Sequence, residues 1–282
     1  MKRGVFLSRS DILFAQNCRD ILESGFSTDG DTVRPKWADG VDAHTYKCFG
    51  IVNRYDLQIE FPILTQRYIN FMGAVDELLW IWQKKSNRIA DLNSHIWDAW
   101  ADEEGTIGKA YGYQLQVKHR YREGLFDQVD RVLYDLKNNP GSRRILTNLY
   151  VHQDLCEMNL YPCAYSMTFN VTGNKLNGIL HQRSQDMLLA NGWNVCQYAV
   201  LIHLMAQVSG FDPGVFLHVI ADAHIYDRHV SIVKDLIERP SFPAPQLTLN
   251  PEIDDFYAFT PDDIRLRDYR CGEKILGIPV AV

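Results

Sequence analysis

Residues 164–171 alternate: Tyr165, Met167, Phe169 and Val171 fall on one side of an extended chain, Ser166, Thr168 and Asn170 on the other. A period of two marks a strand. Thr172-Gly173-Asn174 supplies turn chemistry, and residues 175–182 (KLNGILHQ) read as the returning strand of a hairpin. A three-residue turn places Val171 opposite Lys175 and hence Cys163 opposite Arg183. Opposed side chains in a ladder lie about 5 Å apart, which makes this thiol and this guanidinium neighbours. A fixed cation beside a thiol favours the thiolate, the nucleophilic form.

Helical periodicity runs over residues 11–26 (ending at Gly25), 71–85 and 125–138, and residues 194–209 read as the longest apolar helix, stopped by Gly210. In 71–85, Phe71, Ala74, Val75, Leu78, Leu79 and Trp82 form a stripe that Trp80 and Ile81 widen. A helix this apolar is mostly buried. Glu77 within it is a candidate desolvated carboxylate with a raised pKa, able to shuttle protons; a first-turn acid serving the helix dipole is the alternative. His95 to Trp100 puts Trp97 and Trp100 on one helical face, either as core or as a flat wall for an aromatic ligand.

Ser142-Arg143-Arg144 opens a strand over 145–151, and adjacent arginines on extended backbone point to opposite faces. Arg34 precedes Pro35 and so projects from extended backbone. After the hairpin, residues 183–186 turn toward Met187 to Ala190, and Asn194 suits a helix N-cap. Residues 215–226 read as a buried strand that sets Asp222, His224 and Tyr226 on one face. A polar row in an apolar strand needs a ligand or a hydrogen-bond network.

Composition narrows the choices. The chain has 282 residues, 46% hydrophobic and 23% charged, long enough for one sizeable core or two small ones; with no internal repeat or low-complexity linker, a single domain over 1–282 is the expectation. A formal net charge of −6 disfavours a broad nucleic-acid surface, and any anion site must be local. The six cysteines form no CxxC pair and no zinc spacing, and His224 with His229 lacks a third ligand, so no metal is expected. No run approaches the ~18 apolar residues of a membrane span, and the N-terminal apolar run is too short for a signal peptide; a cytoplasmic location is expected. The glycines of 105–114 meet neither the Walker nor the dinucleotide spacing.

One activated cysteine, scattered arginines, two tryptophans and a buried polar row suit an enzyme acting on an aromatic anion. A cysteine hydrolase using His181 or His224 as base competes, without an oxyanion-hole glycine motif to accompany it.

From about Arg34 to Val282 the chain resembles the thymidylate synthase family. The matching pieces are ELLW (77–80), IWDAW (96–100), YG (111–112), SRR (142–144), PC (162–163), QRSQD (182–186), Asn194, DAHIYDRH (222–229) and the terminal PVAV. The resemblance implies an α+β fold, a large mixed β-sheet packed by helices, with the sheet also forming a homodimer interface. It implies reductive methylation of dUMP to dTMP with 5,10-methylenetetrahydrofolate as one-carbon and hydride donor, through a Cys163 adduct at uracil C6. Glu77, Tyr111 and Arg183 would assist catalysis. Arg34, Arg183 and Ser184 would grip the phosphate with Arg143 and Arg144 of a second subunit; Asn194 would read the uracil edge, and His224 and Tyr226 the sugar. Trp97, Trp100, Asp186, Trp193 and Ala281 would contact the folate. Neither a membrane nor an obligatory nucleic acid is implied.

Three departures stand out: Ala164 follows the nucleophile where most relatives have His, Leu189 to Trp193 replaces the usual folate-wall segment, and Arg67 replaces a lysine. They leave open a dUMP hydroxymethylase, and a nucleotide- or RNA-binding regulator of the same fold is a further alternative.

Overall fold

A computed structural model describes residues 7–282. In chain order it comprises α1 (Arg9–Ser24), β1 (Phe26–Ser27), β2 (Thr45–Asp56), α2 (Phe71–Trp82), α3 (Gly112–Gln116), β3 (His119–Arg120), β4 (Leu125–Phe126) and α4 (Gln128–Asn138). There follow β5 (Leu146–Asn148), β6 (Ala164–Thr172), β7 (Lys175–Asp186), α5 (Asn191–Ser209), β8 (Asp212–Tyr226), α6 (Val230–Ile237), β9 (Gln246–Leu249) and β10 (Ile264–Arg267). Six strands build one sheet in the order β1-β2-β8-β7-β6-β5. The pair β7–β8 is parallel and the others are antiparallel, as a mixed sheet requires.

The parallel pair needs a crossover, and α5 supplies it. That helix is apolar nearly all round and is buried along most of its length, between the sheet and α2. Its left-handed C-cap at Gly210 (φ 75°) ends it where the sequence places the stop. Even-numbered β8 residues such as Phe216 and Ile220 point into this core, beside Phe169 and Leu180 of the hairpin. The opposite face of the sheet carries Val52, Ile179, Leu217 and Val219, all partly exposed.

Several elements differ from their sequence reading, each for a local reason. Trp82 rather than Lys85 ends α2, and Lys85 takes φ 53°. Asp127 caps α4 by accepting from Asp130 N, which leaves Leu125 and Phe126 to a short ribbon. His95 to Trp100 forms only a 3₁₀ turn at Asp98–Trp100, too short for a helical face. The strand expected over 145–151 pairs only at Leu146–Asn148. Residues 183–186 extend β7 instead of leaving it, because Ser184, Gln185 and Asp186 pair with Asp222, Ala223 and His224 of β8.

Phe169 is 1% exposed and meets Trp82 edge-to-face at 6.5 Å, joining the hairpin to α2. Phe169→Ala should cost about 3–5 kcal/mol of stability through the cavity it leaves, measured by denaturant unfolding. A loss under about 1 kcal/mol would show that this contact does not hold the hairpin.

Candidate active site

The hairpin brings Cys163 opposite Arg183, though by another route than the expected turn. The turn is Gly173-Asn174 alone, so Thr172 faces Lys175 and the ladder runs one step off register down to Ser166 opposite His181. An irregularity at Tyr165 then inserts one residue, Ala164 faces Gln182, and Arg183 N donates to Cys163 O at 3.0 Å. The bulge cancels the shorter turn.

Arg183 Nη2 lies 3.6 Å from Cys163 Sγ. The same guanidinium donates to Tyr161 O (2.7 Å) and Pro162 O (3.1 Å), so it fixes the backbone ahead of the cysteine as well as the sulfur. Burial pushes the Cys163 thiol above its ordinary range, and Arg183 and Arg34 pull it back without cancelling the rise. The expected preference for thiolate is corrected here: the cation acts in the predicted direction, but desolvation outweighs it. Among the described residues no imidazole hydrogen-bonds this sulfur; His181 packs against Tyr165 and His224 bonds Asp222. The cysteine–histidine hydrolase arrangement is not formed.

A cavity of about 580 Å³ opens over the sulfur. Polar groups that line it include Arg34, Cys163, Arg183, Ser184, Asn194, Asp222, His224 and Tyr226. Trp100, Leu160, Leu189, Ala190, Val280 and Ala281 add apolar surface, and Asp186 also lines the cavity. The polar row of β8 is thus gathered as its alternation implies. A concave site lined by both apolar and convergent polar groups suits a ligand with a flat ring and a charged tail.

Asn194 lies in the first turn of α5, its N–H bonded to Ala190 O at 2.8 Å, so it is not the N-cap. Its Oδ1 accepts from Gln182 Nε2 at 3.2 Å, and Gln182 Oε1 bonds His218 Nε2. Burial lowers His218 to about 3, which keeps the ring neutral. This relay leaves the Asn194 amide N–H groups free for the cavity. His224 Nδ1 meets Asp222 Oδ1 at 2.8 Å, while Lys47 Nζ lies 3.4 Å from Oδ2. Burial opposes ionisation of Asp222, yet His224 and Lys47 hold its carboxyl below the usual range. With Nδ1 engaged, Nε2 of His224 is the nitrogen left for a ligand.

Glu77 sits midway along α2, too deep to serve as a first-turn acid. Its Oε1 accepts from Trp97 Nε1 (2.5 Å), and its Oε2 from Trp193 Nε1 (2.5 Å) and Gln197 Nε2 (2.7 Å). Burial raises its pKa, and these three donors oppose the rise. Trp97 and Trp193, expected at the cavity wall, lie behind it with their indoles on this carboxylate. Trp97 also packs edge-on to Tyr111 at 5.2 Å. Tyr111 Oη accepts Cys163 N–H at 3.1 Å, and burial holds the phenol protonated well past its usual range. The tyrosine backbone is strained (φ 44°, ψ −105°), and a Cβ on Gly112 would come within 2.2 Å of Ser86 O, which accounts for the Tyr-Gly pair.

The terminal residues are tied in. Val282 exchanges both backbone hydrogen bonds with Lys36, two residues from Arg34, and His229 Nε2 bonds Pro279 O at 2.8 Å. Asp186 Oδ1 accepts from Leu188 N and Leu189 N, which shapes the apolar wall. Arg143 and Arg144 are exposed and lie outside this cavity. Sequence reading passed over Lys47, Gln182, Gln197 and His218. His218 shares the alternation of Asp222 and could have been found by extending that row. Gln197 is one helical turn beyond Trp193, a spacing that matters only once Glu77 is known to face it.

The family described as thymidylate synthase matches residues 13–282 of this chain. A protein named thymidylate synthase from Bacillus subtilis subsp. natto is 46% identical over 263 residues, 92% of this chain and 94% of that one. One of the same name from Bacillus phage phi3T shows the same identity and coverage. The solved structure of thermostable thymidylate synthase A from Bacillus subtilis superposes with a TM-score of 0.92 at 44% identity, over 96% of this chain and 99% of that one.

Alkylation of Cys163 by iodoacetamide should accelerate with pH toward a midpoint above the ordinary thiol value. Arg183→Gln should move that midpoint higher and slow labelling near neutral pH about tenfold, read by mass spectrometry of the Cys163 peptide. An unmoved midpoint would remove the guanidinium from control of the sulfur.

Proposed function

The chain belongs to the thymidylate synthase family, and from that membership we propose that it methylates dUMP to dTMP with Cys163 as nucleophile. The observation that carries the assignment is the Cys163 sulfur with a guanidinium 3.6 Å away, both lining a cavity that also presents Arg34, Asn194, His224, Tyr226 and the apolar Trp100. The sulfur adds to C6 of the uracil ring, which makes C5 nucleophilic. Covalent addition divides a substitution at an unreactive carbon into easier steps.

Arg183, Ser184 and Arg34 hold the phosphate, joined by Arg143 and Arg144 of a second subunit. These two arginines are exposed and neither lines the Cys163 cavity of its own chain, which supports sharing. Val52, Ile179, Leu217 and Val219 on the uncovered sheet face are the natural contact between the two subunits. Asn194 donates to the uracil edge. His224 Nε2 and Tyr226 take the deoxyribose hydroxyl. Fixing the dianion leaves binding energy for orienting the ring over the sulfur.

A folate fits against the apolar lining residues, Trp100 and Ala281 among them. When bound, 5,10-methylenetetrahydrofolate supplies the one-carbon unit and the hydride. Asp186 is placed to bond the folate ring, the terminal segment excludes water, and Glu77 and Tyr111 manage the protons, Tyr111 at C5. The whole chain acts as one catalytic unit, with no metal, in the cytoplasm.

Incubation with dUMP and 5,10-methylenetetrahydrofolate should give dihydrofolate and a product heavier by one methyl group by mass spectrometry. A hydroxymethylated product with tetrahydrofolate would instead mean that water replaces the hydride, and no turnover would mean a binding protein. Cys163→Ser should keep dUMP binding while turnover falls by about 10³-fold or more; wild-type turnover would take Cys163 out of the reaction. Arg143→Glu chains, inactive alone, should regain about one quarter of wild-type activity when mixed equally with Cys163→Ser chains, because half the dimers then hold one unaltered site. Activity that stays at zero at every ratio would refute sharing.

A further inference from the structure

We propose that Trp193 is a positioning residue for proton transfer: seated against Gly73, its indole N–H closes Oε2 of Glu77, so that this carboxylate exchanges its proton through Oε1 alone. The inference rests on the reading of Glu77 as a proton carrier and adds the path. A carboxylate has about four in-plane acceptor positions, two per oxygen. Trp193 and Gln197 occupy both positions on Oε2, at 2.5 and 2.7 Å. Trp97 occupies one on Oε1. Indole N–H groups donate and never accept, so a proton on Oε2 would meet a donor head-on. The open position belongs to the oxygen bonded by Trp97, whose ring packs on Tyr111, and Tyr111 in turn touches Cys163.

Sequence and packing cooperate to place the indole. A Cβ on Gly73 would lie 2.8 Å from Trp193 Cη2 and 2.6 Å from Asn70 Nδ2, so only glycine lets this ring lie along α2. Glycine is unfavourable inside a helix, and here it makes the room that Trp193 needs. The ring does not border the cavity, although its neighbours Leu189, Ala190 and Asn194 do. The titratable groups that face Glu77 are Asp76 on its own helix, Tyr111 before α3, and Cys196 and Tyr198 on α5. Asp76 disfavours the Glu77 charge, and burial holds the phenols and the thiol neutral. The N–H donors are thus what favours ionised Glu77.

Trp193→Phe keeps an aromatic ring against Gly73 and deletes the donor. The protonated-carboxyl infrared band of Glu77, assigned by its loss in Glu77→Gln, should then titrate about one pH unit higher. The acid limb of kcat should move upward with it, since protonated Glu77 persists to higher pH, while dUMP affinity stays within twofold. Gln197→Met removes the other Oε2 donor and should shift both readouts in the same direction, which keeps the test available if Trp193→Phe folds poorly. A band and a pH limb that stay in place while KM for the folate rises would overturn the proposal and leave Trp193 as wall. Wild-type turnover by Glu77→Gln would overturn the reading of Glu77 itself, a separate result.

Discussion

The contact between Arg183 and Cys163 sets the geometry of everything around it. One guanidinium holds the carbonyls of Tyr161 and Pro162 and reaches the sulfur, so the loop entering β6 cannot move without breaking three contacts. Because Arg183 is itself a ladder residue, the sulfur inherits the rigidity of the sheet. The next residues of the same strand, Ser184 and Asp186, and the β8 residues paired with them, Asp222 and His224, then face one cavity at fixed spacing. A site built on strands keeps its reacting atoms in register more accurately than one built on loops.

The ladder also explains how two opposite requirements meet at the sulfur. A nucleophile must sit where water is scarce, yet desolvation disfavours its charge, and in the free energy of Cys163 desolvation is the larger effect. Arg183 and Arg34 reduce that cost without removing it, so the thiolate is reached only in part near neutral pH. The thiolate that does form is the more nucleophilic for its raised pKa, which offsets part of the loss in thiolate fraction.

Much of this was legible in the sequence, for identifiable reasons. The hairpin and the β8 polar row carry strong periods of two and α5 is a long, mostly apolar stretch, and they fall where expected, with ends displaced by a few residues. The opposition of Cys163 and Arg183 was reached by two errors that cancel: a turn one residue shorter than predicted and a bulge at Tyr165. Neither is visible in a pattern of apolar positions, since both depend on local backbone preference. Trp97 reads as a ligand wall because flat rings suit ligands, and Trp193 because the family resemblance implies a folate contact there. Their N–H groups instead answer a buried carboxylate, and that demand appears only when α2 and α5 are packed together. Asn194 looked like a cap because helix starts are uncertain by a turn, whereas its amide is held by Gln182 from a strand twelve residues earlier.

Glu77 and Cys163 show how the same burial can serve opposite ends. Both groups lose water, and both are pushed toward their neutral forms. The cysteine receives a cation, which acts over distance and lowers the cost of charge without blocking the sulfur. The carboxylate receives N–H donors, which act only along their bonds and therefore choose one oxygen as well as favouring a charge. A nucleophile needs its reacting atom open, so a cation to the side is the suitable partner. A proton carrier needs direction, so it is suited by donors that leave a single position free. Tyr111, strained in its backbone and wedged between Trp97 and the Cys163 amide, joins the two. The strain is held because Gly112 lets that segment lie against Ser86, and it places a neutral phenol between the carboxylate and the sulfur.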